Sequence, residues 1–248
     1  MFNNWTQFPS YIIHAEQQGQ VKRTFRRLDP ARQQAVILAI LDEAAQRGPA
    51  AMNIKQVASR AGVSVGSLYQ YFGDRENMLN FAVDLCVHFV SDAFDEFLPY
   101  LVAMPLRDAL VAYVSGGIEW SRAEAAFLQL FARAAYQGDS ELTERLVVPL
   151  SNKFRECIGE MLVQAAARGE IRPGVDLEAA VRLVYGLSLV VGDSQLLPYL
   201  NNYFQIIAPD MPPDRVLFAM LDLVLKGIAN ASIASADSAI ISPSPEES

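Results

Sequence analysis

The stretch Asn53-Ile-Lys-Gln-Val-Ala-Ser-Arg-Ala-Gly62-Val-Ser64-Val-Gly-Ser-Leu-Tyr69-Gln-Tyr-Phe72 decides the fold, because it reads as two short helices set across a tight turn at Gly62. Ile54, Val57, Ala58 and Ala61 recur at helical spacing and face inward, and glycine at 62 takes the left-handed conformation that stops the first helix at little cost. Asn53 is its expected N-cap, with the side chain accepting from the N–H of Gln56. Ser64 caps the second helix, Val65 to Tyr71, which turns Leu68 and Phe72 towards the same core and leaves Val65, Gly66, Ser67, Tyr69 and Gln70 facing out. That outward set is small or polar. A turn of this kind swings the second helix across the first and frees one face to enter the major groove of duplex DNA. Gly66 and Ser67 would let its backbone come close.

Working outward, Val36, Ile37, Ile40, Leu41 and Ala44 make Arg32 to Arg47 an amphipathic helix, with Gln33, Asp42, Glu43 and Gln46 on its other faces. Asp29 and Pro30 suit its start and Gly48-Pro49 its stop. On the other side, Gly73-Asp74 introduces a long fourth helix through Leu79, Ala82, Cys86, Phe89, Ala93 and Phe97 that is expected to end before Pro99. Further helical patterns cover Leu106 to Trp120, Ala123 to Gln137, Glu141 to Arg168, Leu177 to Leu197 and Pro213 to Ala229. Gly138-Asp139, Pro173-Gly174 and Pro209 to Pro212 break them. Strand alternation is not sustained anywhere. The expectation is an all-α protein with an N-terminal helix-turn-helix domain at 30–76 and a C-terminal helical ligand-binding and dimerisation domain at 77–229. A leader with a basic arm occupies 1–29, and a Ser/Ala-rich tail at 230–248 is too polar to fold.

The net charge of −8 hides two opposite halves. Residues 1–75 carry nine Lys/Arg against five Asp/Glu, and residues 76–248 carry eleven against 23. Phosphate attracts the first part and repels the second, which would orient the molecule on a duplex. Within the leader, Trp5, Phe8, Tyr11 and Ile12 are candidates to dock on the rest of the chain. Lys22-Arg-Thr-Phe-Arg26-Arg27 reads either as a flexible arm for a neighbouring minor groove or as a solvated basic linker.

Other classes find little support. No apolar run approaches the ~18 residues of a membrane helix, Leu183 to Gly192 being closed by Arg182 and Asp193, and no signal peptide opens the chain. A cytoplasmic location is expected, with Cys86 and Cys157 as reduced, buried thiols. His14 and His88 lack metal-ligand spacing, His88 reading as packed or solvent-tipped. Ser115-Gly-Gly117 follows no strand, Asp95-Glu96 reads as a solvated face, and Glu246-Glu247 lies in the tail. No catalytic residue, metal or cofactor is expected.

Helix, Ala61-Gly62-Val63-Ser64, Gly66-Ser67-Leu68-Tyr69, Tyr71-Phe72, then Arg75-Glu76 and Leu79: this order resembles the DNA-binding domain of tetracycline-repressor-like (TetR family) regulators over about Arg32 to Phe81. Arg75 stands where the family commonly has lysine and keeps the positive charge. The resemblance implies that Ser64, Ser67, Tyr69 and Tyr71 hold phosphates while Val65, Gly66 and Gln70 face base edges. That division suits the chemistry, since Gln pairs with adenine and Val touches a thymine methyl. Asn53 belongs to the same set, and Lys55 and Arg75 would add charge near helix starts that favour anions.

The resemblance also implies a homodimer and an effector pocket. Leu177 to Leu197 and Pro213 to Ala229 are apolar nearly all round, as helices buried against both a core and a partner should be. A purely internal helix pair is the alternative. Twin reading helices would meet a near-palindromic site with half-sites about 34 to 36 Å apart, or a multiple. Among the aromatic residues of the acidic body, Tyr113, Trp120, Phe131 and Tyr185, with Met161, are the candidate pocket lining for an unidentified small apolar effector. Glu119 or Asp193 would point to a cationic ligand if buried. Effector binding is expected to tilt the fourth helix and change the spacing of the reading heads, releasing a repressor from its operator. The competing reading is a helical protein-interaction module that no longer binds DNA. The polar reading face and the basic amino-terminal part speak against it.

Overall fold

The computed structural model describes residues 8–48 and 51–230. Pro49, Trp5, Glu246-Glu247 and the tail after Asn230 lie outside them. The described chain is helical: α1 (Phe8–Gln17), α2 (Arg23–Arg26), α3 (Pro30–Arg47), α4 (Ile54–Ala61), α5 (Val65–Phe72), α6 (Arg75–Ala103), α7 (Leu106–Ala123), α8 (Ala125–Gln137), α9 (Ser140–Leu142), a π-helical turn (Thr143–Val147), α10 (Val148–Ala167), α11 (Leu177–Leu196), α12 (Pro198–Phe204) and α13 (Pro213–Ile228). Among the described residues the only extended pairings are two isolated bridges, Ile171 with Ala229 and Ala208 with Met211.

Two compact units emerge, one of Met1–Glu96 with Trp120–Lys153 and one of Phe97–Glu119 with Phe154–Ser248. In the first, α3 packs on α4 and α8, and α2 packs on α5. Val36, Ile37, Ile40, Leu41 and Ala44 are buried as the periodicity predicts. Burying each large aliphatic side chain contributes roughly 1.5–3 kcal/mol. Asp29 Oδ1 accepts from the Arg32 amide at 3.0 Å and Pro30 fills the first turn, so α3 starts as expected. In the second unit, α11 packs on α12 and α13, and the Arg172 amide and guanidinium donate to Ile228 and Gly227 carbonyls. Asn230, the first residue of the expected loose tail, is tied down by its amide to the Glu170 carbonyl at 2.8 Å.

In the described part of the leader, Phe8 and Ile12 dock as expected: with Ala15 of α1 they are buried, and the Phe8 ring meets Phe89 at 6.0 Å. Several other expectations need correction. Lys22 to Arg27 is neither a flexible arm nor a solvated linker, because Phe25 at its centre is fully buried against Phe72 (5.0 Å) and Phe81 (5.8 Å). One apolar residue among four cations anchors the segment. Gln33 and Glu43 are buried rather than on polar faces, since each finds partners inside. Pro99 lies within α6, where its missing N–H falls on the exposed side while Ala93 and Leu101 pack inward. The helix expected from Glu141 to Arg168 is broken by the π turn. Pro149 cannot donate to the Arg145 carbonyl, and the Val148 amide reaches back to Thr143 instead.

Candidate nucleic-acid interface

Gly62, at φ 65° and ψ 33°, takes the left-handed conformation that separates α4 from α5, and the Val63 amide closes the cap on the Ala58 carbonyl at 3.0 Å. Val57, Ala58, Ala61, Leu68 and Phe72 are buried, with α4 packed on α3 and α5 packed on α2 and α4. Ser64 Oγ accepts from the Ser67 amide at 2.9 Å and lies 2.8 Å from the Ser67 hydroxyl, a pair that caps α5 and leaves one hydroxyl proton to donate outward. Asn53 is the N-cap of α4, but its side chain accepts from Lys55 rather than Gln56, at 3.0 Å. The Gln56 amide is satisfied by the Asn53 carbonyl instead.

The predicted interface residues differ in how far they reach solvent. Asn53, Lys55, Ser64, Gly66, Tyr69 and Gln70 are exposed, and Val65, Ser67, Tyr71 and Arg75 are half-buried. Tyr69 is 45% exposed despite its size. Tyr71 leans on Phe25 at 5.8 Å, leaving its ring partly covered. Arg75 donates from Nε to the Met52 carbonyl at 3.3 Å, which ties the start of α6 to the residue before the α4 cap. Gly66 is informative in another way. A Cβ there would meet nothing closer than Ser64 Oγ at 3.6 Å, an ordinary contact, so the fold itself does not require glycine at this exposed helical position.

Sequence reasoning missed the residue that holds the interface from behind. Glu43 of α3 has a side chain with no exposure, lies 3.0 Å from Arg47 Nε and 3.4 Å from Arg60, and accepts from the Asn53 amide at 3.2 Å. One carboxylate thus sets where α4 begins and draws its last turn towards α3. The available signal was Arg47 one turn along α3. The Gln33 side chain similarly donates to the Phe25 and Arg26 carbonyls and docks α2 on α3.

The expected effector residues fall in both units. Trp120 and Phe131 belong to the first, and Tyr113, Met161 and Tyr185 to the second. Phe131 and Met161 are buried, while Tyr113, Trp120 and Tyr185 are half-buried. Phe89 stacks on Phe127 at 4.2 Å and on Trp120 at 6.4 Å, and the Trp120 Nε1–H is buried with no acceptor among the described residues. In the second unit, burial pushes the Tyr113 hydroxyl pKa up, with Cys157 and Tyr185 adding to it. Asp193 is buried and Glu119 exposed. Neither cysteine is in a disulfide and both are buried, and burial pushes the Cys86 thiol well above its ordinary pKa. Among the described residues no cluster of His, Cys, Asp and Glu is suited to a metal, and no helix is long and apolar enough to cross a membrane.

Residues 36–81 match the family described as bacterial regulatory proteins, tetR family, and residues 105–190 match the tetracyclin repressor-like C-terminal domain, together more than half of the chain. The sequence is similar to the HTH-type transcriptional regulator BetI 1 of Chromohalobacter salexigens, 26% identical over 180 residues that cover 64% of this chain and 89% of that one. In fold it resembles a TetR family transcriptional regulator from Chloroflexus aurantiacus, with a TM-score of 0.59 at 20% identity, covering 85% of this chain and 99% of the other. It also resembles SmeT, the repressor of the Stenotrophomonas maltophilia multidrug efflux pump SmeDEF, with a TM-score of 0.57 at 17% identity, covering 81% and 91%.

Proposed function

We propose that this protein, which belongs to the TetR family of DNA-binding transcriptional regulators, is a homodimeric repressor that sits on a near-palindromic operator and is released by a small apolar effector. The observation that carries the reading is the exposed, sparsely bulky face of α5, where Gly66 leaves a gap that nothing in the fold demands. In this reading Val65, Gly66 and Gln70 contact bases, while Asn53, Lys55, Ser64, Ser67, Tyr69, Tyr71 and Arg75 hold phosphates. The reading head spans 30–76 and the effector and partner surfaces lie within 77–229. A cytoplasmic location follows from the partner.

Dimerisation is supported by α11 and α13. Each buries one stripe (Val184 and Val191; Leu217 and Leu221) and exposes another, with Leu183 67%, Phe218 53% and Leu223 71% exposed. Large apolar side chains in such number at one helix pair call for a covering surface, and a second copy supplies one of matching chemistry.

For the effector, the orphaned Trp120 Nε1–H supports an apolar molecule that carries one hydrogen-bond acceptor, because a buried unsatisfied donor costs roughly 1–3 kcal/mol. Asp193 is buried but already engaged within the chain, so its burial does not itself call for a cationic ligand. Electrophoretic mobility shift with the region upstream of the gene tests DNA binding, and affinity should fall steeply as salt rises. Adding apolar acceptors and organic cations in turn should release the complex and quench Trp120 fluorescence with one class only. Salt-independent binding would remove the reading.

A further inference from the structure

The leader gives the molecule a second DNA-contacting element, resting on the DNA-binding reading above: we infer that Lys22, Arg23 and Arg27 form a rigid cationic ledge that grips backbone phosphates beside those reached from α5. The ledge is built onto the reading helix itself. The Lys22 amide donates to the Tyr71 carbonyl at 2.6 Å, and Thr24 Oγ1 donates to the carbonyl of Gln70 at 2.7 Å. These are carbonyls of the last turn of α5, the negative end of that helix, which would otherwise repel a phosphate. The leader therefore covers an unfavourable charge and sets a favourable one beside it.

Each feature of the segment serves to hold the cations in place. Phe25 is wedged among Tyr71, Phe72 and Phe81, and Gln33 holds the Phe25 and Arg26 carbonyls. Arg26 is paired with Glu16 of α1, so one of the four charges is spent on fixing the leader. Lys22, Arg23 and Arg27 are exposed and make no ion pair with any described residue. The Lys22 ammonium lies beside Gly73 and Asn77, at the corner between α5 and α6. By contrast Arg47 and Arg60 of the same unit are tied to Glu43. A fixed helix cannot reach along a minor groove as an extended arm, but it can present charge to the sugar-phosphate backbone without ordering cost at the moment of binding.

The test uses the full chain with Lys22→Ala, Arg23→Ala and Arg27→Ala combined, binding both an operator selected from a random duplex pool and a mixed-sequence duplex. Every phosphate that is no longer neutralised should flatten the slope of log affinity against log salt by about 0.9, so the slope of the triple variant should be shallower by on the order of 2 to 3. Affinity for both duplexes should fall by a similar factor, roughly tenfold or more at moderate salt, with the melting temperature unchanged. Retaining charge with Arg23→Lys and Arg27→Lys on the native background should leave the slope as it was. If the unaltered chain binds DNA with a steep salt slope and the triple variant keeps that slope and affinity, the ledge is overturned while the reading head stands. If the unaltered chain binds neither duplex, both fall together.

Discussion

The reading face of α4 and α5 and the outer face of α11 and α13 are both surfaces the chain leaves uncovered, and they are uncovered in opposite chemistry. On the first, exposed groups are polar or absent: Asn53, Lys55, Gly66, Tyr69 and Gln70 stand over a core made by Leu68 and Phe72. On the second they are large and apolar: Leu183, Leu187, Phe218 and Leu223. A polar face stays hydrated until a partner offers matched hydrogen bonds and charge, whereas an apolar one favours association with any complementary greasy surface. In the proposed reading the first surface takes nucleic acid and the second a further copy of the chain, and neither can substitute for the other.

The sharpest way to break this comparison is to charge the apolar face. Leu183→Asp with Leu223→Asp should convert the proposed dimer to a monomer in sedimentation, and operator affinity should fall by two orders of magnitude or more, since the two half-sites lose their linkage. A variant that stays dimeric would move the partner surface elsewhere.

The next effect concerns Glu43, the carboxylate behind the reading face. Glu43→Leu removes the acceptor for the Asn53 amide and leaves Arg47 and Arg60 without it. The loss should be about 1–3 kcal/mol in denaturant unfolding, discounted because both arginines reach solvent. Glu43→Gln keeps the acceptor and should cost less. Equal losses would mean that the charge, not the hydrogen bond, positions α4.

Much of this was legible in the sequence, for reasons the particular residues make clear. Gly62, Ser64 and the spacing of Val57, Ala61, Leu68 and Phe72 act locally, through a cap, a left-handed turn and a helical period, so the two short helices could be placed from one stretch of chain. Glu43 and Phe25 could not. Glu43 is buried because Arg60, seventeen positions on, folds back over it, and Phe25 is buried because Phe72 and Phe81 form its pocket. Those partners are distant in sequence, and neither period nor composition reports them. The π turn before Pro149 and the proline inside α6 were missed for the converse reason: the local breaker was visible, while the packing that tolerates it was not.

Gly66→Ala gives a smaller but more discriminating outcome, because its two effects have opposite signs. Helix propensity should raise stability by about 0.5–1 kcal/mol, as the added methyl meets only Ser64 Oγ at 3.6 Å. Operator affinity should drop about tenfold if that methyl holds the backbone away from the duplex. A stabilised protein with undiminished binding would show that close approach at this position is not used.

The smallest effect is on the leader. Tyr11 packs on His88 at 4.5 Å, and partial burial lowers the imidazole pKa from 6.5 to about 4. The unfolded chain takes up a proton below 6.5 while the folded one stays neutral, so this contribution is present at neutral pH and is lost as pH falls from 6.5 towards 4. The protection of α1 amides, with the intrinsic pH dependence of exchange divided out, should fall over that window, and His88→Phe should flatten the dependence.

The central claim, that α5 reads bases in a groove, is tested most directly by selecting preferred duplexes from a random pool with the unaltered protein and with Gln70→Glu. Glutamine pairs with adenine and glutamate accepts from cytosine, so the account predicts a two-fold symmetric site in which one position per half changes from adenine to cytosine. An identical consensus from both proteins, at equal affinity, would contradict it.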